Sequence, residues 1–296
     1  MSRLRYQLID FGGGRKLESV GGHTIDRPSP AAEGFQRNSP KAWGAVDSRF
    51  DAKRKSWDHR LAWPNSLVLE CGDFRMPVRP TPYGHIGLFP EQASNWRWLA
   101  DTEVAKKEAK DKVDAQSVNA LNLFAYTGAS TMALVAAGFR VAHVDAAKPN
   151  VQAARSACDT NGWPEAPVRY LVDDAAKFAA RERRRERIYH TIVMGPPAYG
   201  HSPSGKAWRL ERDLWPLLTD CLHLIQPSGF RLLITGHSPE VTAGDVTHFL
   251  VDALQTERGV KRSDLKIESG RNELADQSNR KLDAGFYVRV QGSSDA

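Results

Sequence analysis

From about residue 89 onward the chain alternates short apolar runs with helical stretches, and few folds accommodate that alternation. Val118 to Phe124, Phe139 to Asp145, Val168 to Val172, His190 to Met194 and Phe230 to Thr235 are each short enough for a buried parallel strand. Between them Ser130 to Ala137, Asn150 to Asn161, residues 174–186 and residues 211–225 read as helices, and Ser94 to Lys112 reads as a helix ahead of the first strand. Strands that alternate with helices form a parallel sheet with crossovers on both faces, so the expected fold is a doubly wound α/β sheet. Leu265 to Glu268 and Gly285 to Val290 have no helix between them and predict an antiparallel C-terminal hairpin at the sheet edge.

Residues 1–88 have a different texture. They are rich in Gly, Pro and Trp, with short apolar runs such as Tyr6 to Ile9 and Ser66 to Glu70, and they predict a small β-rich domain preceding a second domain over 89–296. The charged stretch Arg49 to Arg60 is expected as an exposed loop, and Gln291 to Ala296 as a disordered tail. No stretch approaches the roughly 18 apolar residues of a membrane span, and the N-terminus lacks the apolar core of a secretory signal, so a soluble, cytoplasmic protein is expected. Cys71, Cys158 and Cys221 are far apart without metal-ligand spacing and are expected to be reduced, with no metal bound. A formal charge of +6 favours an anionic partner.

In an open α/β sheet, ligands bind beyond the carboxyl ends of the strands. Four such places carry candidate residues. In Phe124-Ala125-Tyr126-Thr127-Gly128, the glycine permits a tight turn, and the helix behind it presents N–H groups to a carboxylate. A dinucleotide fold would need G-x-G-x-x-G here, which argues against a nicotinamide-dependent dehydrogenase. Asp145, followed by Ala146, can accept hydrogen bonds from ribose hydroxyls, or cap the helix starting near Lys148. Asp173-Asp174 can accept from an adenine amino group, with helix capping as the competing role. Gly195-Pro196-Pro197-Ala198-Tyr199 combines an extended turn, whose carbonyls lack nearby amide donors, with an aromatic able to stack on a base.

In this order the motifs F-x-Y-T-G, V-D-A, D-D and P-P-x-Y resemble the class I S-adenosylmethionine (SAM)-dependent methyltransferases, most closely the bacterial branch acting on large-subunit ribosomal RNA. Gly87-Leu88-Phe89-Pro90-Glu91-Gln92 resembles that branch's G-x-F-x-[DE]-Q segment, so the resemblance covers about residues 84–238. It implies a Rossmann-like fold with SAM as cofactor. Tyr126, Thr127 and Gly128 would border the methionine part, Asp145 would hold the ribose, with Ala146 beside it among the cofactor-binding residues, and Asp174 the adenine, with Phe89 and Gln92 closing over the cofactor. Pro196, Pro197 and Tyr199 would line the acceptor base. Two departures stand out. The family usually has Asp or Asn where this chain has Gly195, and the turn Thr235 to Pro239 lacks the cysteine of the cytosine carbon-5 enzymes; His237 stands there as a base or polar wall, or as a structural histidine.

The charge and the resemblance make RNA the expected acceptor. Trp208, Arg209 and Arg212 are expected near it, beyond a Gly200 to Gly205 loop, where the aromatic can stack bases and the arginines bind phosphates, or Trp208 can belong to the core; Arg181 to Arg187 reads as a solvated helix end, with RNA contact as the lesser alternative. The alternative reading is a non-catalytic SAM- or RNA-binding protein whose acceptor turn has degenerated at Gly195.

Overall fold

A computed structural model describes residues 5–101, 118–201, 207–227 and 229–292. The chain forms two compact units, Met1–Ser94 with Asn272–Ala284, and Asn95–Arg271 with Gly285–Ala296.

The first unit is built on a five-stranded sheet of β1 (Tyr6–Gly12), β2 (Arg15–Val20), β3 (His23–Pro28), β4 (Ser48–Asp51) and β5 (Ser56–His59) in sequential order. All neighbours are antiparallel except β3 and β4. Gly13 and Gly14 have φ of 58° and 68°, as a two-residue turn matched to the twist of β1 and β2 requires. A two-stranded ribbon, β6 (Val68–Glu70) and β7 (Arg75–Pro77), follows. Arg49 to Arg60 is the β4–β5 hairpin rather than a loop, and its arginines are engaged: Arg49 with Asp26, Arg54 with Asp51 and Asp58, Arg60 with Asp47. Glu18 is fully buried between Arg27, Lys16 and the Tyr6 hydroxyl, at 2.5, 3.2 and 2.7 Å.

After α1 (Ala93–Ala100), the second unit alternates β8 (Asn119–Leu123), α2 (Ala129–Ala136), β9 (Arg140–Asp145), α3 (Lys148–Thr160), β10 (Val168–Val172), α4 (Ala175–Arg184) and β11 (Thr191–Met194). Then come a short ribbon of β12 (Tyr199–His201) and β13 (Ala207–Arg209), α5 (Leu210–Leu222), β14 (Arg231–Gly236), α6 (Ala243–Arg258), and the hairpin β15 (Leu265–Ala275) and β16 (Lys281–Gly292). The seven-stranded sheet has the order β10-β9-β8-β11-β14-β16-β15. Its strands are parallel from β10 to β14, and β16 runs antiparallel to β14. The strand order reverses at β8: β9 and β10 follow on one side and β11 and β14 on the other, which makes the carboxyl ends of the paired β8 and β11 the switch point where open α/β sheets form a ligand crevice.

The doubly wound sheet and its antiparallel hairpin are those expected. The hairpin is longer than expected because β15 is mostly exposed and lacks an apolar face for periodicity to detect. Its tip clusters with the first unit, where Leu274 and Leu282 are buried with Leu8, Phe11 and Ala32. There Arg280 reaches Asp10 at 2.5 Å, while Asp10 also accepts from the Trp43 indole and the backbone of Ser39. Residues 102–112 of the expected first helix, 202–206 of the glycine loop and 293–296 of the expected tail lie outside the described residues, while Gln291 and Gly292 end β16. Among the described residues no helix is long and apolar enough to cross a membrane.

Candidate cofactor and acceptor site

The loop after β8 is strained. Phe124 and Tyr126 have φ of 52° and 50°, and Gly128 has φ of 92°. A left-handed conformation at a bulky residue persists only where its surroundings over-determine it, and such residues gather at ligand sites. One restraint is Asp145, at the end of β9, whose Oδ2 accepts the Tyr126 N–H at 2.8 Å. Its Oδ1 accepts from Ala147 N at 2.9 Å and from Asn150 Nδ2 at 3.0 Å. A carboxylate offers about four acceptor positions. Within these contacts Asp145 keeps one position on Oδ2 for a further donor. Ala146 beside it is exposed.

Gly128 is required twice over, by its φ and by packing. A Cβ there would lie 2.8 Å from the Ala154 Cβ on α3, so the glycine lets helices α2 and α3 approach. Behind the loop runs a buried polar chain that the sequence reading missed. Asn122 Nδ2 donates to Thr131 Oγ1 at 3.0 Å, and the Thr131 hydroxyl shares a second hydrogen bond with His143 Nδ1 at 2.9 Å. Burial, with the charge of Arg155, pushes the His143 imidazole down to about 3, so it stays neutral.

The two aspartates after β10 have structural partners. Asp174 caps α4, accepting from Lys177 N at 2.9 Å, and Asp173 pairs with Arg181 at 2.5 Å. Capping thus occupies one oxygen of the residue expected at adenine. Only half-buried, Asp174 keeps its second oxygen for a further donor.

After β11, Gly195 and Pro197 are exposed, Pro196 is buried and Tyr199 is 56% exposed. The Pro197 carbonyl is not open, as the sequence suggested, because Trp208 Nε1 donates to it at 2.8 Å. The Trp208 ring packs on Phe124 with centroids 4.8 Å apart, so this side chain ties the loop after β11 to the strained loop after β8. It is a brace between loops rather than a free stacking platform. Arg212 is held by Asp213 and the Ala207 carbonyl. His237 is exposed in the turn after β14. Phe89 and Gln92 belong to the first unit, where exposed Phe89 precedes the turn Pro90–Gln92.

Among the described residues, no group of three or more His, Cys, Asp or Glu side chains converges as a metal site. The three cysteines are buried and unpaired by disulfides, and burial pushes their thiols up, Cys71 to about 12, which makes them poor nucleophiles.

No family model matches the chain. It is 28% identical over 131 residues to the ribosomal RNA large subunit methyltransferase K/L of Shewanella frigidimarina, covering 44% of this chain and 18% of that protein. The Methylococcus capsulatus protein of the same name is 28% identical over 170 residues, covering 57% and 21%. The chain thus matches about a fifth of the length of these relatives. Among solved structures, the SAM-dependent methyltransferase from Agrobacterium tumefaciens superposes with a TM-score of 0.84 at 28% identity, over 97% of this chain and 90% of that one. The structure of SMU.776 complexed with S-adenosylhomocysteine superposes with a TM-score of 0.73 at 15% identity, over 98% and 76%, a likeness of fold alone. Sheet order and the comparisons define the class: this chain has the class I SAM-dependent methyltransferase fold. Within that class its sequence similarity runs to the large-subunit ribosomal RNA methyltransferases.

Proposed function

We propose that this protein is a cytoplasmic SAM-dependent methyltransferase whose acceptor is RNA, in particular a base of ribosomal RNA. The observation that carries the reading is the Asp145 carboxylate holding the strained Tyr126 loop at the crevice, beside the Pro196-Pro197 turn. The residues fit the cofactor. Asp145 keeps an acceptor position for a ribose hydroxyl, Asp174 one for the adenine amine, and the first turn of α2 carries N–H groups without intrahelical partners for a carboxylate. Tyr126, Thr127 and Gly128 form the wall beside the methionine part, and Ala146 adds no bulk next to the ribose. The RNA acceptor is supported by the relatives' names, the net charge of +6 and the exposed aromatic Tyr199 beside the acceptor turn.

Bound SAM supplies an electrophilic methyl on a sulfonium that is already a good leaving group. The protein's part is alignment, worth several kcal/mol of barrier. The loop after β8 would hold the methionine end of the donor, and the Gly195 to Tyr199 turn would hold the acceptor base. The proton displaced from the acceptor passes to solvent.

Gly195 favours one second reading, a SAM- or RNA-binding protein without transfer activity, because an exposed glycine offers an acceptor only its backbone. Gly195→Asp separates the two. The glycine has no positive φ, and a Cβ would meet only Thr235 Oγ1, at 3.1 Å, so a side chain fits if that hydroxyl gives slightly. SAM binding by calorimetry, followed by methyl transfer into RNA by the natural protein and by Gly195→Asp, tests the function. Binding with transfer by the natural protein supports it; binding with transfer only by the variant marks a degenerate enzyme; no SAM binding refutes it.

A further inference from the structure

At the opposite edge of the same sheet, at the amino ends of β8, β9 and β10 and ahead of β11, lies an open cleft of about 430 Å³. Its walls include Asn119, Arg140, Arg169, Glu182, Arg187 and Tyr189. The strands separate it from the candidate methyl-transfer site by roughly 16–20 Å, the length of five or six extended residues. It is therefore not part of that site.

The charges in this cleft do not balance. Glu182 is the sole acidic residue of its lining, buried, and already engaged: its Oε2 accepts from the Tyr189 hydroxyl at 2.8 Å and its Oε1 from Arg185 at 3.2 Å. Arg169 approaches Glu182 only at 4.0 Å. Arg140 and Arg187 are exposed and have no ion-pair partner among the described residues. With Arg185 neutralising Glu182, three guanidinium groups line one concavity without a matching anion. The buried pair of Glu182 and Tyr189 fixes the floor, and the arginines form the rim.

Guanidinium groups match phosphate oxygens in geometry, and several of them suit a group carrying more than one negative charge better than a single carboxylate. The volume falls within the range of small-ligand clefts. We propose that this cleft is a second binding site that takes phosphate groups through Arg140, Arg169 and Arg187. The phosphates come either from an RNA backbone, which then passes around the sheet edge, or from a free phosphorylated molecule. The RNA source rests on the function proposed above; the phosphate chemistry does not.

The test uses the full chain with two probes, inorganic pyrophosphate and a uridine homopolymer, on the natural protein, on Arg140→Ala with Arg187→Ala, and on Arg184→Ala. Arg184 is exposed in the last turn of α4 and does not line the cleft, so it controls for general loss of charge. The double variant is expected to lose affinity about tenfold or more while Arg184→Ala changes it little. Loss for the polymer, with a shallower salt dependence by about 0.7 per lost contact, identifies RNA as the source. Loss for pyrophosphate alone identifies a free phosphorylated molecule. Unchanged affinity for both probes, no binding of either, or an equal loss in Arg184→Ala overturns the proposal. SAM binding by the same variants checks their folding, and a failure of SAM binding in the natural protein would strike the function above without touching this site.

Discussion

The backbone N–H of Tyr126 donates to Asp145 Oδ2 at 2.8 Å, so the carboxylate at the end of β9 holds a left-handed residue in the loop after β8. Two strands of the parallel sheet are thereby joined at the point where a cofactor would lie. Asp145 restrains the loop and keeps one acceptor position on Oδ2 for a further donor.

Replacing Asp145 with Ala should have two separable effects. Three donors lose their acceptor, so stability falls by about 1–3 kcal/mol, and SAM affinity falls by about 1.5–3 kcal/mol. Thermal unfolding and calorimetry read them independently. Unchanged stability contradicts the restraint, and unchanged SAM affinity removes Asp145 from the ribose.

Gly128→Ala should destabilise the second unit by about 1–3 kcal/mol, through the left-handed backbone and the contact with Ala154. Adding Ala154→Gly relieves the contact but not the backbone strain. The double variant should then recover only part of the loss beyond the glycine's own helix cost of about 1 kcal/mol, as measured by denaturant unfolding. Full additivity of the two changes would show that the helices do not meet at this glycine.

In the first unit, burial opposes ionisation of Glu18, but the charges of Arg27 and Lys16 and the hydrogen bonds from Arg27 and Tyr6 outweigh it, lowering its carboxyl from 4.5 to about 2. A group lowered on folding stabilises above its unfolded value, and that contribution is lost as pH falls through the folded one. Stability of this unit should decline between about pH 5 and pH 2 by an amount on the order of 3 kcal/mol. Acid unfolding of Glu18→Gln should lack this component of the slope. Arg27→Ala should cost about 3–5 kcal/mol near neutral pH by leaving the carboxylate buried without its main partner.

Trp208→Phe keeps a ring against Phe124 and removes the donor to the Pro197 carbonyl. Stability should fall by only about 1 kcal/mol. Methyl transfer should slow at saturating SAM, with SAM affinity preserved, because the freed carbonyl belongs to the turn proposed to hold the acceptor. An equal loss in SAM affinity would assign the brace to the cofactor side instead.

The parallel strands were legible in the sequence because each is short, apolar and followed by a helix, and the candidate loops followed from where those strands end. What remained hidden depends on contacts between distant residues. The apolar pattern marks β9 but not the Tyr126 amide that Asp145 holds. The cap formed by Asp174 was one of two roles that the sequence left open, and the structure displays it. Trp208 left base stacking and a core position equally open, because nothing local shows that its indole meets Pro197. The tip of the C-terminal hairpin is polar and nearly patternless, and only its burial of Leu274 and Leu282 against Leu8 and Phe11 reveals its place in the first unit.

The most direct test of the account is transfer of labelled methyl from SAM into RNA isolated from cells that lack the gene, followed by nucleoside mapping. The account predicts label in large-subunit ribosomal RNA at a defined base, and its loss with Asp145→Ala. Label absent from RNA under conditions where the protein binds SAM would contradict the claim that RNA is the acceptor.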